Sequence, residues 1–235
     1  MTIDFTPFFE KYEALLKAAD EVFGRVREEY PHCVKCDEGC SDCCHALFDL
    51  TLIEALYINH QFNRTYQGRD DEKAEVVEKA NRADRQAYRI KKDAYKALES
   101  GMTEEEILAD LAKKRVRCPL LNAQDLCSLY DYRPVTCRFY GIPTAIGGKG
   151  HTCGKSGFVP GEPYPTVNLD IVQQRLYQIS EELVSVLKTR YVKMSEMLVP
   201  LSMALLTVYD DEYLGIDHPD NEKADAPNKE GDANE

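Results

Sequence analysis

Between Cys33 and Cys44 the run CVKCDEGCSDCC places five thiols in twelve residues, and no other feature limits so sharply what this chain can fold around. Four further cysteines follow at Cys118, Cys127, Cys137 and Cys153. Spacings of two or three residues let one turn aim successive sulfurs at a common point, and Gly39 supplies the conformational freedom such a turn needs. An isolated cysteine reads as a small buried hydrophobe. Five together require a ligand or a bond. A disulfide framework is opposed by the odd total of nine and by the compartment predicted below, where thiols stay reduced.

The first residues carry no basic segment, and their apolar positions are interrupted by Glu10, Lys11, Glu13 and Lys17, so the sequence predicts neither a signal peptide nor an export route. No apolar run reaches the ~20 residues that cross a bilayer. A cytoplasmic protein without membrane attachment is expected. With 29 Lys and Arg against 41 Asp and Glu, the formal charge of −12 argues against a nucleic-acid surface.

Periodicity is helical almost throughout. Thr6 is expected to cap a helix with Pro7 in its first turn, carrying Phe8, Tyr12, Leu15, Ala19, Val22, Phe23 and Val26 on one stripe and ending near Tyr30 and Pro31. Thr51 with Glu54, and Thr103 with Glu106, form capping boxes that open helices toward Phe62 and Lys114. A charged helix spans 70–99, with Val77, Ala80, Ala87, Tyr88, Tyr95 and Leu98 as its expected apolar side. From Arg117 to Pro165 no helical stripe persists, and six of the eleven prolines fall there. A loop-rich stretch of that length needs an organiser other than secondary structure. Val172, Leu176, Ile179, Leu183 and Val186 mark another helix, and Met197, Leu201, Leu205 and Val208 a last one that Pro200 kinks or delimits. The expectation is an all-α fold, a helical scaffold with cysteine-rich metal-binding loops, as one domain over 1–215 with its cysteine region at 33–153. A disordered acidic tail is expected at 216–235.

Two metal chemistries compete for the thiols. Zinc sites are often built from two Cys-x-x-Cys knuckles, and the second half of the chain offers none. Iron–sulfur clusters are commonly held by close cysteines plus a distant one, often with proline beside a ligand, as in Cys118-Pro119, which favours iron. Because neighbouring side chains diverge, Cys43 and Cys44 are expected not to share one ion easily, so the pair can serve two sites. Cys36, Cys40 and Cys43 also match the spacing of radical enzymes that use S-adenosylmethionine. Those enzymes have strand–helix alternation and an aromatic residue before the last cysteine, where this chain has Asp42.

The combination of Cys36, Cys40 and Cys43-Cys44, then Cys118-Pro119-Leu120-Leu121, Cys127 with Tyr130, Tyr132-Arg133-Pro134 before Cys137-Arg138, and Cys153 resembles the zinc- or iron-chelating cysteine-cluster family known as YkgJ-type or CxxCxxCC. The resemblance implies eight metal-binding cysteines: Cys36, Cys40, Cys43, Cys44, Cys118, Cys127, Cys137 and Cys153. Cys33 lies outside the set, and the first gap is three residues where the family's name has two. A related cluster in bacterial flagellin lysine methylases adds an enzymatic alternative, a protein lysine methylase or an oxidoreductase with one open metal position. No glycine-rich loop for S-adenosylmethionine follows an expected strand here. A protein partner is compatible with either reading, and the sequence identifies none.

Around the thiols, Arg117, Arg133 and Arg138 are candidates to offset thiolate charge, with pairing of Arg133 to Asp131 the competing role. Lys113, Lys114 and Arg115 are expected to serve a helix C-terminus. His32, His45 and His151 flank cysteines and are read as supporting or exposed groups rather than ligands. Gly147-Gly148-Lys149-Gly150 lacks the spacing of a phosphate loop. The tyrosines are expected to pack in or beside the core.

Overall fold

Helix α1 (Thr6–Glu29) starts on the residue expected to cap it, one residue early: Phe5 occupies the cap position, and the Asp4 carboxylate accepts the Thr6 N–H at 2.9 Å. The computed structural model describes residues 3–216. The buried face of α1 is Phe8, Tyr12, Leu16, Ala19 and Val26. Strand β1 (Asp49–Thr51) runs directly into α2 (Leu52–Thr65), where the Thr51–Glu54 capping box forms as the sequence predicts. Nearly all of the first three turns of α2 are buried, which makes it the central helix. Then come α3 (Asp70–Glu99) and α4 (Glu104–Ala112), the latter opened by the Thr103–Glu106 box.

The segment expected to lack persistent structure contains short elements. These are α5 (Val135–Phe139), β2 (Thr144–Ile146), β3 (Lys149–His151) and β4 (Val167–Asn168), with β2 antiparallel to β3 and parallel to β4. Helix α6 (Leu169–Leu187) follows, capped by Asn168, whose side chain accepts the Asp170 and Ile171 amides. The last expected helix divides at Pro200. Leu198–Pro200 is strand β5, antiparallel to β1 with Leu50 opposite Val199, and only Leu201–Leu206 is helical, as α7. Val208 is 72% exposed. The all-α expectation is therefore corrected to a mainly helical fold with two small sheets. The strands are too short and too proline- and glycine-flanked to show an alternating pattern in sequence.

Two apolar cores meet along α2. One joins α1, α2, α5 and α6 through Tyr12, Leu16, Leu56, Phe139 and Leu183. The other joins α2, α3, β5 and α7 through Ile58, Phe62, Val76, Ala80 and Leu205. Helix α3 has the expected bounds, and Ala80 and Ala87 of its expected apolar side are buried, but the rest of that side is not. Val76, Ala80, Ala83 and Ala87 are buried, whereas Tyr88, Tyr95 and Leu98 are 64%, 62% and 46% exposed. The expectation of packed tyrosines fails there: α7 packs through Ala204 and Leu205 against Val76 and Ala80 of α3. No helix among the described residues is long and apolar enough to cross a membrane. The tail expected at 216–235 lies, apart from Ile216, outside the described residues.

Candidate metal centre

All eight cysteines that the motif singles out line one cavity of about 550 Å³, and Cys33 does not. All nine are free thiols. Cys43 and Cys44 lie in a 3-10 turn at Cys43–His45, the next stretch brings Cys118 and Cys127, and Cys137 sits within α5. The thiols are thus not confined to loops.

Backbone pairing draws the two halves together. The Cys118 amide donates to the Cys44 carbonyl at 2.7 Å, and the Val116 amide to the His45 carbonyl at 3.0 Å. Leu121 bridges Cys127, and the Ser128 amide reaches the Leu120 carbonyl at 2.8 Å, so Cys118 and Cys127 stand on one tight loop. Helix α5 is anchored from below by Glu54 of α2. The carboxylate of this buried residue accepts the Val135 amide at 3.3 Å and, through its other oxygen, the Thr51 amide at 3.1 Å. Burial raises the Glu54 pKa, opposed by these donors. Arg138, also buried, pairs with Asp20 of α1 and donates to the Arg133 carbonyl at 3.1 Å.

On the other side, Cys36 donates to the Tyr140 carbonyl at 3.5 Å. The Tyr140 hydroxyl donates to Asp42 Oδ2 at 2.9 Å, and the Cys153 thiol stands 3.8 Å from the same oxygen. Arg115 holds Asp42 through a 2.7 Å ion pair, a role other than the helix terminus expected for it. Gly141, at φ +107°, is tight against this group: a Cβ there would lie 2.1 Å from Cys36 Sγ. Asp42, Arg115, Tyr140 and Gly141 belong to the site through tertiary contact. Nothing in their local spacing marks them.

Burial is the main influence on most of the thiols. It pushes Cys36 up to about 11 and Cys118 up to about 12, and it raises Cys127, Cys137 and Cys153. Cys43 and Cys44 are the exceptions: the hydrogen bond between them draws Cys43 down to about 7 and, ahead of burial, raises Cys44. Their sulfurs are 3.9 Å apart. Contrary to the expected divergence, this separation is close to the edge of a tetrahedron with ~2.3 Å metal–sulfur bonds, because the tight turn folds the two side chains toward the same side. The adjacent pair can therefore meet at one centre.

Positive groups surround the sulfurs. Arg27, Lys35, Arg117, Arg133, Arg138 and Lys155 share the cavity wall. Arg133 lowers the pKa of Cys43, Cys127 and Cys137, which supports charge compensation; its ion pair is with Asp20 at 3.5 Å, not Asp131. Arg117 pairs with Asp125 at 2.9 Å. His32, His45 and His151 are not among the lining residues. Among the described residues, no three His, Cys, Asp or Glu side chains stand close enough to enclose a lone ion.

The profile of the CxxCxxCC family, described as a zinc- or iron-chelating domain, matches residues 35–154. The chain belongs to the CxxCxxCC family. No curated protein and no solved structure matches it. The match begins just before Cys36 and ends just after Cys153, so it spans the eight cavity-lining cysteines and leaves out Cys33. Residues beyond it, Phe23 and Arg27 on one side and Pro200, Leu201 and Ser202 on the other, complete the wall.

Proposed function

We propose that this member of the CxxCxxCC family binds metal through Cys36, Cys40, Cys43, Cys44, Cys118, Cys127, Cys137 and Cys153, and that the metal is iron in a sulfur-bridged cluster, with zinc the competing ion. The observation that carries this reading is that these eight thiols, distant in sequence, line a single cavity. An all-sulfur donor set suits zinc or iron–sulfur chemistry and disfavours calcium or magnesium. Iron is favoured over zinc by the proline beside Cys118 and by the lack of a Cys-x-x-Cys knuckle in the second half of the chain. The basic wall residues would offset the net negative charge of thiolate-bound metal.

Residues 1–215 act in this proposal as one helical unit, because α1 and α7 both reach the cavity wall. A reducing cytoplasm is the compartment that keeps such thiols available. The enzymatic alternative is favoured by one observation: the cavity that the eight thiols line is also lined by the apolar Phe48, Ala83, Ala87, Leu126 and Leu201. The test is anaerobic purification with iron, zinc and acid-labile sulfide counted per chain and a visible spectrum recorded. A brown protein with iron and sulfide supports the cluster. Colourless protein with stoichiometric zinc replaces it by zinc, and protein holding neither refutes metal binding.

A further inference from the structure

We propose that the outward face of α3 pairs with the same face of a second copy of this chain, the two helices running antiparallel about a twofold axis. The charged residues that form this face are not among those lining the metal-binding cavity.

Charge on α3 is segregated along the helix. At alternating steps of four and three residues the outward stripe reads Asp71, Glu75 and Glu78, then Arg82, Arg85, Arg89, Lys92 and Lys96, all exposed. Such steps keep to one line along a helix. The helix dipole accounts for acid in the first turn and base in the last, which covers Asp71 and Lys96 but not Glu75, Arg85, Arg89 or Lys92. A helix alone in water is best served by opposite charges four residues apart. Here Asp71 and Glu75, Arg85 and Arg89, and Lys92 and Lys96 set like charges at that spacing, each pair a small cost to the lone chain. Along this line Glu78 and Arg82 do pair, at 2.7 Å. Among the described residues, the side chains of Asp71, Glu75, Arg85, Arg89 and Lys96 have no ion pair or hydrogen bond.

An antiparallel copy answers both halves at once. It sets Asp71 opposite the partner's Lys96, Glu75 opposite the partner's Lys92 and Glu78 opposite the partner's Arg89, and the twofold repeats each pairing. Asp84, Arg85, Tyr88, Arg89 and Lys92 line an open hollow of about 410 Å³, and in this register Glu75 of the partner subunit and Glu78 of the partner subunit lie over it. Tyr88 and Tyr95 flank the basic half in exposed positions, and tyrosine and arginine are residues on which interfaces commonly anchor. At the centre Arg82 faces the partner's Arg85, a like-charge contact that Glu78 offsets through its bond to Arg82. Nucleic acid or an anionic lipid surface would meet the basic half and be repelled by the acidic one. The stripe is about 38 Å long and one helix wide, a size that suits a transient contact. Pairing is therefore concentration-dependent, and because exposed charges hold it, salt weakens it.

The experiment is sedimentation of the full-length chain under reducing conditions, up to about 1 mM protein, at about 0.05 M and about 0.5 M salt. The expected result is a monomer–dimer equilibrium at low salt that weakens at least about tenfold at high salt. Glu75→Lys and Lys92→Glu should each weaken it by about tenfold or more, since the twofold then sets lysine against lysine or glutamate against glutamate. An equal mixture of the two variants should associate as the unaltered chain does, because unlike copies restore each opposite pair. Within one chain the two positions lie about 25 Å apart along the helix, so direct contact between them cannot produce that rescue. A chain monomeric throughout, association that neither reversal weakens, or a mixture that fails to associate would overturn the proposal. Monomeric protein that binds poly-L-glutamate through Lys92 would also overturn it, giving the basic half to an acidic partner instead.

Discussion

Replacing Gly141 by alanine tests whether Cys36 occupies a position fixed by its surroundings. The added Cβ would lie 2.1 Å from Cys36 Sγ. Ordinary contact is about 3.5 Å, so sulfur or backbone must yield by about 1.4 Å. Metal–ligand distances tolerate only about 0.2 Å, and such a displacement removes Cys36 as a donor. The substitution also carries a backbone cost, since φ is +107° at Gly141; side chains there cost about 1–3 kcal/mol. Gly101→Ala isolates that second cost, having φ +96° with nothing within 4 Å of the added atom. The collision alone should add about 1–3 kcal/mol. For a chain of this size that lowers the melting midpoint by about 2–12 °C relative to Gly101→Ala. The assay is thermal unfolding of both variants beside metal content per chain. Gly141→Ala protein that keeps its full metal complement and melts with Gly101→Ala would refute the reasoning.

Three further outcomes are expected. Glu54→Ala should destabilise the fold by about 2–5 kcal/mol in urea unfolding, because the buried Val135 and Thr51 amides lose their acceptor; a change below about 1 kcal/mol would remove Glu54 as the anchor of α5. Arg138→Lys keeps the charge facing Asp20 but not the planar fork that also reaches the Arg133 carbonyl; a loss of about 1–3 kcal/mol by the same assay is expected, and full stability would show the fork to be dispensable. Metal-free protein should lose stability as pH rises from 9 toward 12, since burial holds Cys36 at about 11 and Cys118 at about 12 while the unfolded chain ionises near 9.0. Metal uptake should accordingly release protons and strengthen as pH rises, more steeply than about tenfold per unit; titration in weak buffer would measure both, and uptake independent of pH would refute thiol ligation.

The parts legible in sequence were those written locally. The boxes at Thr51 and Thr103 mark helix starts because donor and acceptor lie three residues apart, and both form. The face of α3 was legible only in part: Ala80 and Ala87 were placed on its buried side, but tyrosines outrank alanines in apolar area, and it is Val76 and Ala80 that pack with Ala204 and Leu205 of α7. Pro200 marked a break correctly, but the pairing of Leu198–Pro200 with Asp49–Thr51 depends on a partner some 150 residues away. At the site, the thiols announce themselves by clustering. Asp42, Tyr140 and Gly141 acquire meaning only when separate stretches are folded against one another.

The pairing of β1 with β5 has a bearing on how the protein can be handled. Because it brings Pro200, Leu201 and Ser202 to the cavity while α1 delivers Phe23 and Arg27, the ligand-bearing stretch is no portable cassette. A fragment cut at the family boundaries would lose two sides of the chamber and bare the flank of α2. Grafting the motif onto another scaffold would have to reproduce a clasp whose two arms come from outside it.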